Sequence, residues 1–135
     1  MTSMNDRGHN APCSNRDFDF FYRGLEEKKL LAQKCVRCGT LLTLPSPACG
    51  NCGSLDSTSV ELSGEGTVFS FVTHYHPPLP GFDVPHVIAV VELREGGRLL
   101  GAMDGTDPSD VAIGNPVRVE FLKRGDVAAY RFRNA

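Results

Sequence analysis

The first apolar positions of the chain have helical spacing. Four large side chains stand at positions i, i+3, i+4 and i+7: Phe18, Phe21, Tyr22 and Leu25. This spacing predicts a helix with these side chains on one face. Residues 14–17 indicate a capping box before it, and Gly24 lowers its helical propensity, so we expect the helix to end near Lys29. The apolar face either covers the rest of the protein or is a docking arm for a partner.

From residue 30 onward, short extended segments alternate with turn residues. The predicted strands are residues 30–34, 41–44, 57–62, 67–75, 86–94, 98–103, 117–123 and 127–133. Gly64 and Gly66 predict a bend or bulge between two of them, and residues 107–111 predict one helical turn. Short strands with tight turns are typical of a small closed barrel rather than of a sheet with crossover helices. The fold is therefore predicted to be mainly β.

Two Cys-x-x-Cys pairs stand near the start of this β region. They are formed by Cys35 with Cys38 and by Cys49 with Cys52. Four thiolates form the tetrahedral set that structural zinc prefers, and the spacer between the pairs has room for one β-hairpin, which predicts a rubredoxin-like zinc ribbon. Because four thiolates complete the coordination of the metal, we expect a structural rather than a catalytic zinc. A site without metal, or one that forms disulfides, is the alternative.

These segments predict four parts: a disordered tail at residues 1–16, a helical arm at 17–29, the zinc ribbon at 30–55 and the barrel at 56–135. The fifth cysteine, Cys13, is expected to be an unpaired thiol in the tail. Thiolate ligands need reducing conditions, and the chain contains neither a secretory leader nor an apolar run of about 20 residues, so we expect a cytoplasmic protein without membrane contact.

A proline-rich loop separates two of the predicted strands. Residues 74–86 contain four prolines and several aromatic or imidazole rings with little charge. Prolines give a long connection a fixed shape at reduced entropic cost, so this loop is the wall of an apolar groove, a surface for a partner or a rigid cap of the barrel. His74, His76 and His86 flank it, but no nucleophile or further metal ligand is identifiable beside them. No catalytic residue is predicted.

The order of these pieces resembles a known family of acyl-CoA-associated proteins that join a zinc ribbon to an OB-fold barrel, the domain of unknown function 35 (DUF35) family. The resemblance runs through residues 21–25, 30–38, 45–53, 64–71, 74–85, 90–96 and 114–119. Two positions depart from the family pattern. Tyr22 stands where a Trp is common, and Ser46 stands where an Arg is frequent, which weakens the case for a phosphate contact there.

The resemblance implies a non-catalytic accessory subunit that binds a CoA thioester within a hetero-oligomer. The partner would be a thiolase-like enzyme, such as a thiolase, an acyltransferase or a steroid side-chain aldolase, and would hold the nucleophile and the base. The candidate contacts with acyl-CoA are Lys34, Arg37, Tyr75, His76 and Phe82. The candidate docking residues are those of the helical face, Phe18, Phe21, Tyr22 and Leu25.

Two other functions are compatible with parts of the sequence. Zinc ribbons and OB-fold barrels also bind nucleic acids, but acidic residues outnumber basic ones between Asp56 and Ala135 and no stripe of Lys and Arg is present. An independent enzyme would have to use His74 or His76. An accessory acyl-CoA subunit is the interpretation that we favour, with a nucleic-acid-binding module as the alternative.

Overall fold

The computed structural model describes residues 15–135. The predicted tail, with Cys13, and Ser14 of the predicted capping box therefore lie outside the described residues, apart from positions 15 and 16. The described elements are α1 (Asp19–Glu26), β1 (Leu30–Cys35), β2 (Leu41–Leu42), β3 (Ser57–Leu62), β4 (Glu65–His74), β5 (His86–Leu93), β6 (Arg98–Ala102), β7 (Pro116–Arg124) and β8 (Val127–Asn134). The mainly β prediction is confirmed. Between residues 15 and 135, no helix has the length and apolar character needed to span a bilayer.

The helix is shorter than the sequence predicts. It begins at Asp19 after Phe18, which makes no side-chain capping bond, whereas Asn15 Oδ1 accepts hydrogen bonds from the backbone N–H groups of Asp17 and Phe18, at 3.0 and 3.1 Å. The capping prediction at residues 14–17 was therefore wrong, because the Asn15 side chain stabilises a turn that precedes the helix and does not cap the helix itself. At the other end Lys28 has a φ of 58°, and this left-handed residue stops the helix before Lys29.

The ribbon contains a three-stranded sheet in the order β2-β1-β3. β1 and β3 pair antiparallel along their whole length, from Leu30 opposite Leu62 to Cys35 opposite Ser57. The boundary predicted at Asp56 thus separates two strands that are hydrogen-bonded to each other. The two strands stay together because their inward side chains, including Leu30 and Leu62, are buried in one apolar core.

The barrel is a five-stranded antiparallel sheet in the order β6-β5-β4-β7-β8. A bulge between Val68 and Ser70 lets the long strand β4 bend. The bend predicted between the two strands is confirmed at Gly64, which lies between β3 and β4 with a φ of 79°, whereas Gly66 lies within β4. The outer strands β6 and β8 come together at a close contact, where Phe132 packs against Gly101. The predicted helical turn is confirmed as a 3-10 turn at Pro108–Asp110.

The apolar core runs without a break from the helix through the ribbon into the barrel. Its largest fully buried side chains are Phe132, Leu30, Met103, Val68, Val87, Val91 and Val117. Phe21 and Leu25 of α1 belong to the same core, with 7% and 3% of their surfaces exposed. The helix is therefore packed on the body of the protein.

Candidate metal centre and apolar groove

The first cysteine pair lies in a tight turn that follows β1. Gly39 N–H donates to Cys35 O and Cys35 N–H donates to Thr40 O, both at 2.9 Å. Gly39 has a φ of 77°, a left-handed conformation that glycine adopts at little cost. The glycine after the pair thus lets the chain turn back so that both thiols point the same way.

The second pair repeats this geometry. Gly53 N–H donates to Cys49 O at 2.8 Å, Cys49 N–H donates to Ser54 O at 2.9 Å, and the φ of Gly53 is also 77°. Two equivalent turns facing each other are what a metal site with four cysteine ligands requires.

The four sulfur atoms have the spacing of a tetrahedral zinc site. All four Sγ atoms lie within 4.8 Å of one another, and Cys35–Cys52 and Cys38–Cys49 are each 3.6 Å apart. Zn–S bonds of about 2.3 Å place tetrahedral sulfurs about 3.8 Å apart. The residues therefore fit a structural zinc ion, and a complete thiolate set leaves no position for a reacting group.

Local hydrogen bonds favour thiolates at part of this site. The Thr40 hydroxyl, 3.0 Å from the sulfur, and Asn51 lower the pKa of Cys38 to about 5. At Cys52 the Ser54 amide also favours the thiolate, but burial and the neighbouring sulfurs outweigh it and raise the pKa to about 12. Four thiolates this close would repel one another, so a bound cation is what would keep all four sulfurs deprotonated.

The predicted acyl-CoA contacts do not come together in one cavity. Lys34 lines a cleft that includes Leu62 and Glu95, whereas Phe82 lines a different cavity with Arg124. Arg37, Tyr75 and His76 are exposed. The assignment of these residues to CoA stays a prediction. Of the three loop residues, Phe82 is half-buried and lines a cavity, whereas Tyr75 and His76 are exposed.

Phe82 fixes the proline-rich loop to the barrel. Its ring packs against His86, with 4.3 Å between the ring centres, and the Arg124 guanidinium carbon lies over the ring, 4.5 Å from its centre. His86 is 3% exposed, burial lowers its pKa, and its Nδ1 has no hydrogen-bond partner among the described residues. Ring packing thus gives the loop a fixed attachment at this point.

The four predicted docking residues divide into two pairs. Phe21 and Leu25 are buried, whereas Phe18 and Tyr22 are half-buried. Phe18 and Tyr22, together with one face of Phe21, line an apolar groove of about 230 Å³. We call this feature the apolar groove; its other walls include Leu44, Pro45, Leu100 and Tyr130. The first pair covers the body of the protein, and a docking role of the second pair stays a prediction.

A chain of ion pairs that the sequence did not predict crosses the barrel surface. Asp104 accepts from Arg124 at 2.7 Å and from Arg131 at 3.3 Å, and Glu120 accepts from Arg131 at 2.6 Å and from Arg133 at 2.9 Å. Asp104 lies in the turn that follows β6. The pair of Glu120 and Arg131 could have been found from the hairpin register of β7 and β8, which places these two residues opposite each other.

This network changes the acidity of both carboxylates. Burial raises the pKa of Asp104, but hydrogen bonds and charge from Arg124 and Arg131 outweigh burial and hold it below its ordinary value. Hydrogen bonds from Arg133 and Arg131 lower the pKa of Glu120. Both groups are therefore held as paired carboxylates, not as acids or bases ready for proton transfer.

Comparison with known proteins gives matches along most of the chain. Residues 23–57 match the family described as "ChsH2, rubredoxin-like zinc ribbon domain", and residues 59–122 match "ChsH2, C-terminal OB-fold domain". A "DUF35 domain-containing scaffold protein" of Methanocaldococcus jannaschii is 33% identical over 105 residues, which cover 76% of this chain and 74% of that protein. The ribbon, the barrel and their order are thus all matched.

Two further relatives are similar to this chain. The "3-oxo-4,17-pregnadiene-20-carboxyl-CoA hydratase alpha subunit" of Mycobacterium tuberculosis is 45% identical over 119 residues, which cover 88% of this chain but 38% of that protein. The chain therefore spans little more than a third of that subunit. A solved chain titled "Ltp2-ChsH2(DUF35) aldolase" superposes with a TM-score of 0.86 at 38% identity, covering 92% of this chain and 98% of that one.

Proposed function

This chain belongs to the DUF35 family of zinc-ribbon and OB-fold proteins, and from that membership we propose that it is a non-catalytic accessory subunit of a thiolase-like enzyme complex. In this role it binds an acyl-CoA and holds or passes it to the partner that carries the catalytic residues. The observation that carries the proposal is the likeness, over nearly the full length of both chains, to the DUF35 chain of the Ltp2-ChsH2 aldolase. The CoA ligand is supported by the name of the hydratase relative.

The surroundings of the polar groups support an accessory role. The four cysteines form a closed metal set, and the carboxylates of Asp104 and Glu120 are held by arginines. Among residues 15–135, the cysteine quartet is the one cluster of His, Cys, Asp and Glu that could hold a metal ion. Such a chain contributes binding surfaces and stability to a complex, while chemistry belongs to the partner.

The position of the helix argues against the nucleic-acid alternative. OB-folds bind oligonucleotides near the loops that follow their first and fourth strands, which here are the proline-rich loop and the β7–β8 turn. In this protein Tyr22 and Leu25 of α1 line the cavity between these loops, together with Phe82 and Arg124. The helix thus occupies part of the surface that a single strand would need.

Affinity purification of the tagged full chain from its own organism tests the proposal. We expect a thiolase-fold protein to be recovered with it and identified by mass spectrometry. A Cys49→Ser chain, which lacks one zinc ligand, is the matched control because loss of the ribbon should reduce the recovery. Recovery of nucleic acid, or of no thiolase-fold protein, with the intact chain would refute the accessory role.

A further inference from the structure

The apolar groove joins three parts of the chain. Tyr22 comes from the helix and Phe18 from the position just before it, Leu44 and Pro45 come from the ribbon, and Leu100 comes from β6 of the barrel. Leu44 and Leu100 are 69% and 59% exposed, although each is a large aliphatic side chain. Burial of such side chains is favourable in water, so the groove offers an apolar occupant a clear gain in free energy.

The chemistry of the groove restricts what can bind there. None of its lining residues among residues 15–135 carries a charge. Its Thr43 hydroxyl donates to Arg98 O at 2.7 Å, and its Tyr130 hydroxyl donates to Leu100 O. Because these two hydroxyl protons are already used within the protein, the walls favour a hydrocarbon group over a phosphate, a carboxylate or a nucleobase.

A second cavity lies next to the groove and has a more polar wall. It measures about 210 Å³ and shares Tyr22 and Tyr130 with the groove, and its other lining residues include Phe82 and Arg124. Arg124 uses two of its nitrogens for Asp104, so the guanidinium keeps further N–H groups for a neutral acceptor. Together the two cavities suit a molecule with a hydrocarbon end and a polar, amide- or thioester-bearing chain.

We infer that the apolar groove binds the acyl group of a CoA thioester, with the thioester directed toward the cavity at Arg124 and Phe82. This assignment rests on the proposed function for the CoA part of the ligand. In this arrangement Phe18 and Tyr22 contact the acyl group rather than a protein partner. Phe82 lies near the bound thioester, whereas Lys34 and Arg37 do not.

Calorimetric titration of the purified full chain with octanoyl-CoA and with CoA alone tests the inference. We expect octanoyl-CoA to bind at least 10-fold more tightly than CoA, because CoA has no hydrocarbon for the groove. Leu44→Glu and Leu100→Glu should each weaken octanoyl-CoA binding by 10-fold or more, since they place a charge at the rim of the groove. Both side chains are exposed, so these variants should fold, and circular dichroism verifies it.

Ile113→Glu is the matched control, because Ile113 is 71% exposed and is not among the residues that line the groove. Equal affinity for octanoyl-CoA and CoA, or equal weakening by all three substitutions, would overturn the inference. So would loss of partner capture in Leu44→Glu and Leu100→Glu with unchanged octanoyl-CoA binding, since the groove would then be the partner's docking surface.

The same titration separates this inference from the proposed function. A chain that captures a thiolase-fold partner but shows no preference for octanoyl-CoA would keep the accessory role and lose the groove assignment. A chain that binds octanoyl-CoA through Leu44 and Leu100 without capturing a thiolase-fold partner would support the groove and contradict the proposed complex.

Discussion

At the scale of single residues, Gly101 is the point where the barrel closes. A Cβ atom at this position would lie 2.5 and 2.6 Å from two ring carbons of Phe132, a side chain with no exposed surface. The ring in turn contacts Tyr130, so it has little room to move. The absence of a side chain at Gly101 therefore allows β6 and β8 to approach each other.

Gly101→Ala should lower the free energy of unfolding by about 1–3 kcal/mol, because the added methyl group overfills a packed contact. Urea denaturation followed by circular dichroism measures the change. Gly50→Ala is the control, since a Cβ atom there would meet nothing within 4 Å. An equal effect of the two substitutions would contradict the close packing at Phe132.

The lowered pKa of Asp104 should make the free energy of unfolding depend on pH. Its pKa is lowered in the folded protein, so its contribution is complete above the ordinary aspartate pKa and is lost as the pH falls through the folded value. We therefore expect stability to decrease below about pH 4. Asp104→Asn should be less stable than the parent at pH 7, and the two urea midpoints should converge at low pH.

Asp126→Asn serves as the control for this series, because Asp126 is exposed in the turn between β7 and β8. Its midpoints should follow those of the parent at every pH. Midpoints of Asp104→Asn that stay parallel to those of the parent down to pH 3 would show that the Arg124 and Arg131 pairs do not stabilise the fold.

At the scale of elements, α1 is a structural part of the protein. Phe21 packs edge-on against Tyr130 of β8, with 5.8 Å between ring centres, and Gly24 lies against the side chain of Leu31. The helix has eight residues and would be marginal in isolation, so these contacts supply most of its stability. Tyr22 of the helix, Phe18 just before it and part of Phe21 line the apolar groove.

Phe21→Ala should lower the free energy of unfolding by about 3–5 kcal/mol, because it removes a buried ring and leaves a cavity. Phe18→Ala makes the same chemical change on a half-exposed ring and should cost about 1 kcal/mol. Thermal or urea unfolding of both variants measures the difference. A small effect of Phe21→Ala would mean that the helix is a mobile arm and not part of the core.

At the scale of the whole molecule, ribbon and barrel share an apolar core and are also joined by polar contacts at one corner. The Thr43 hydroxyl donates to Arg98 O at 2.7 Å, Ser63 N–H donates to Glu95 at 2.8 Å, and Gly97 approaches the side chain of Thr43. These contacts involve the β5–β6 turn and the first residue of β6, next to the apolar groove. The metal site should therefore influence the barrel through this turn.

Removal of the metal should loosen this corner of the barrel. We expect elemental analysis to find about one zinc ion per chain, and a chelator should raise amide hydrogen exchange in the ribbon and in β5 and β6 more than in β7 and β8. A Cys49→Ser chain should reproduce the pattern without chelator, whereas Cys13→Ser should not. Uniform exchange along the whole barrel would show that ribbon and barrel are not coupled locally.

The sequence by itself determined the elements and the metal centre of this protein. Turn glycines, alternation and Cys-x-x-Cys spacing are local signals, so the strands and the zinc ribbon could be predicted from the order of residues. The OB-fold arrangement followed from the resemblance to a family, and the site residues beyond the cysteines rested on weaker signals.

Only the tertiary structure decided which surfaces come together. It paired β3 with β1, buried Phe21 while leaving Phe18 half-buried, and placed Lys34 and Phe82 in different cavities. It also brought Asp104 to Arg124, 20 residues further along the chain. Such contacts depend on how the barrel closes and where the helix packs, and a pattern with a period of two or of 3.6 residues carries no record of either.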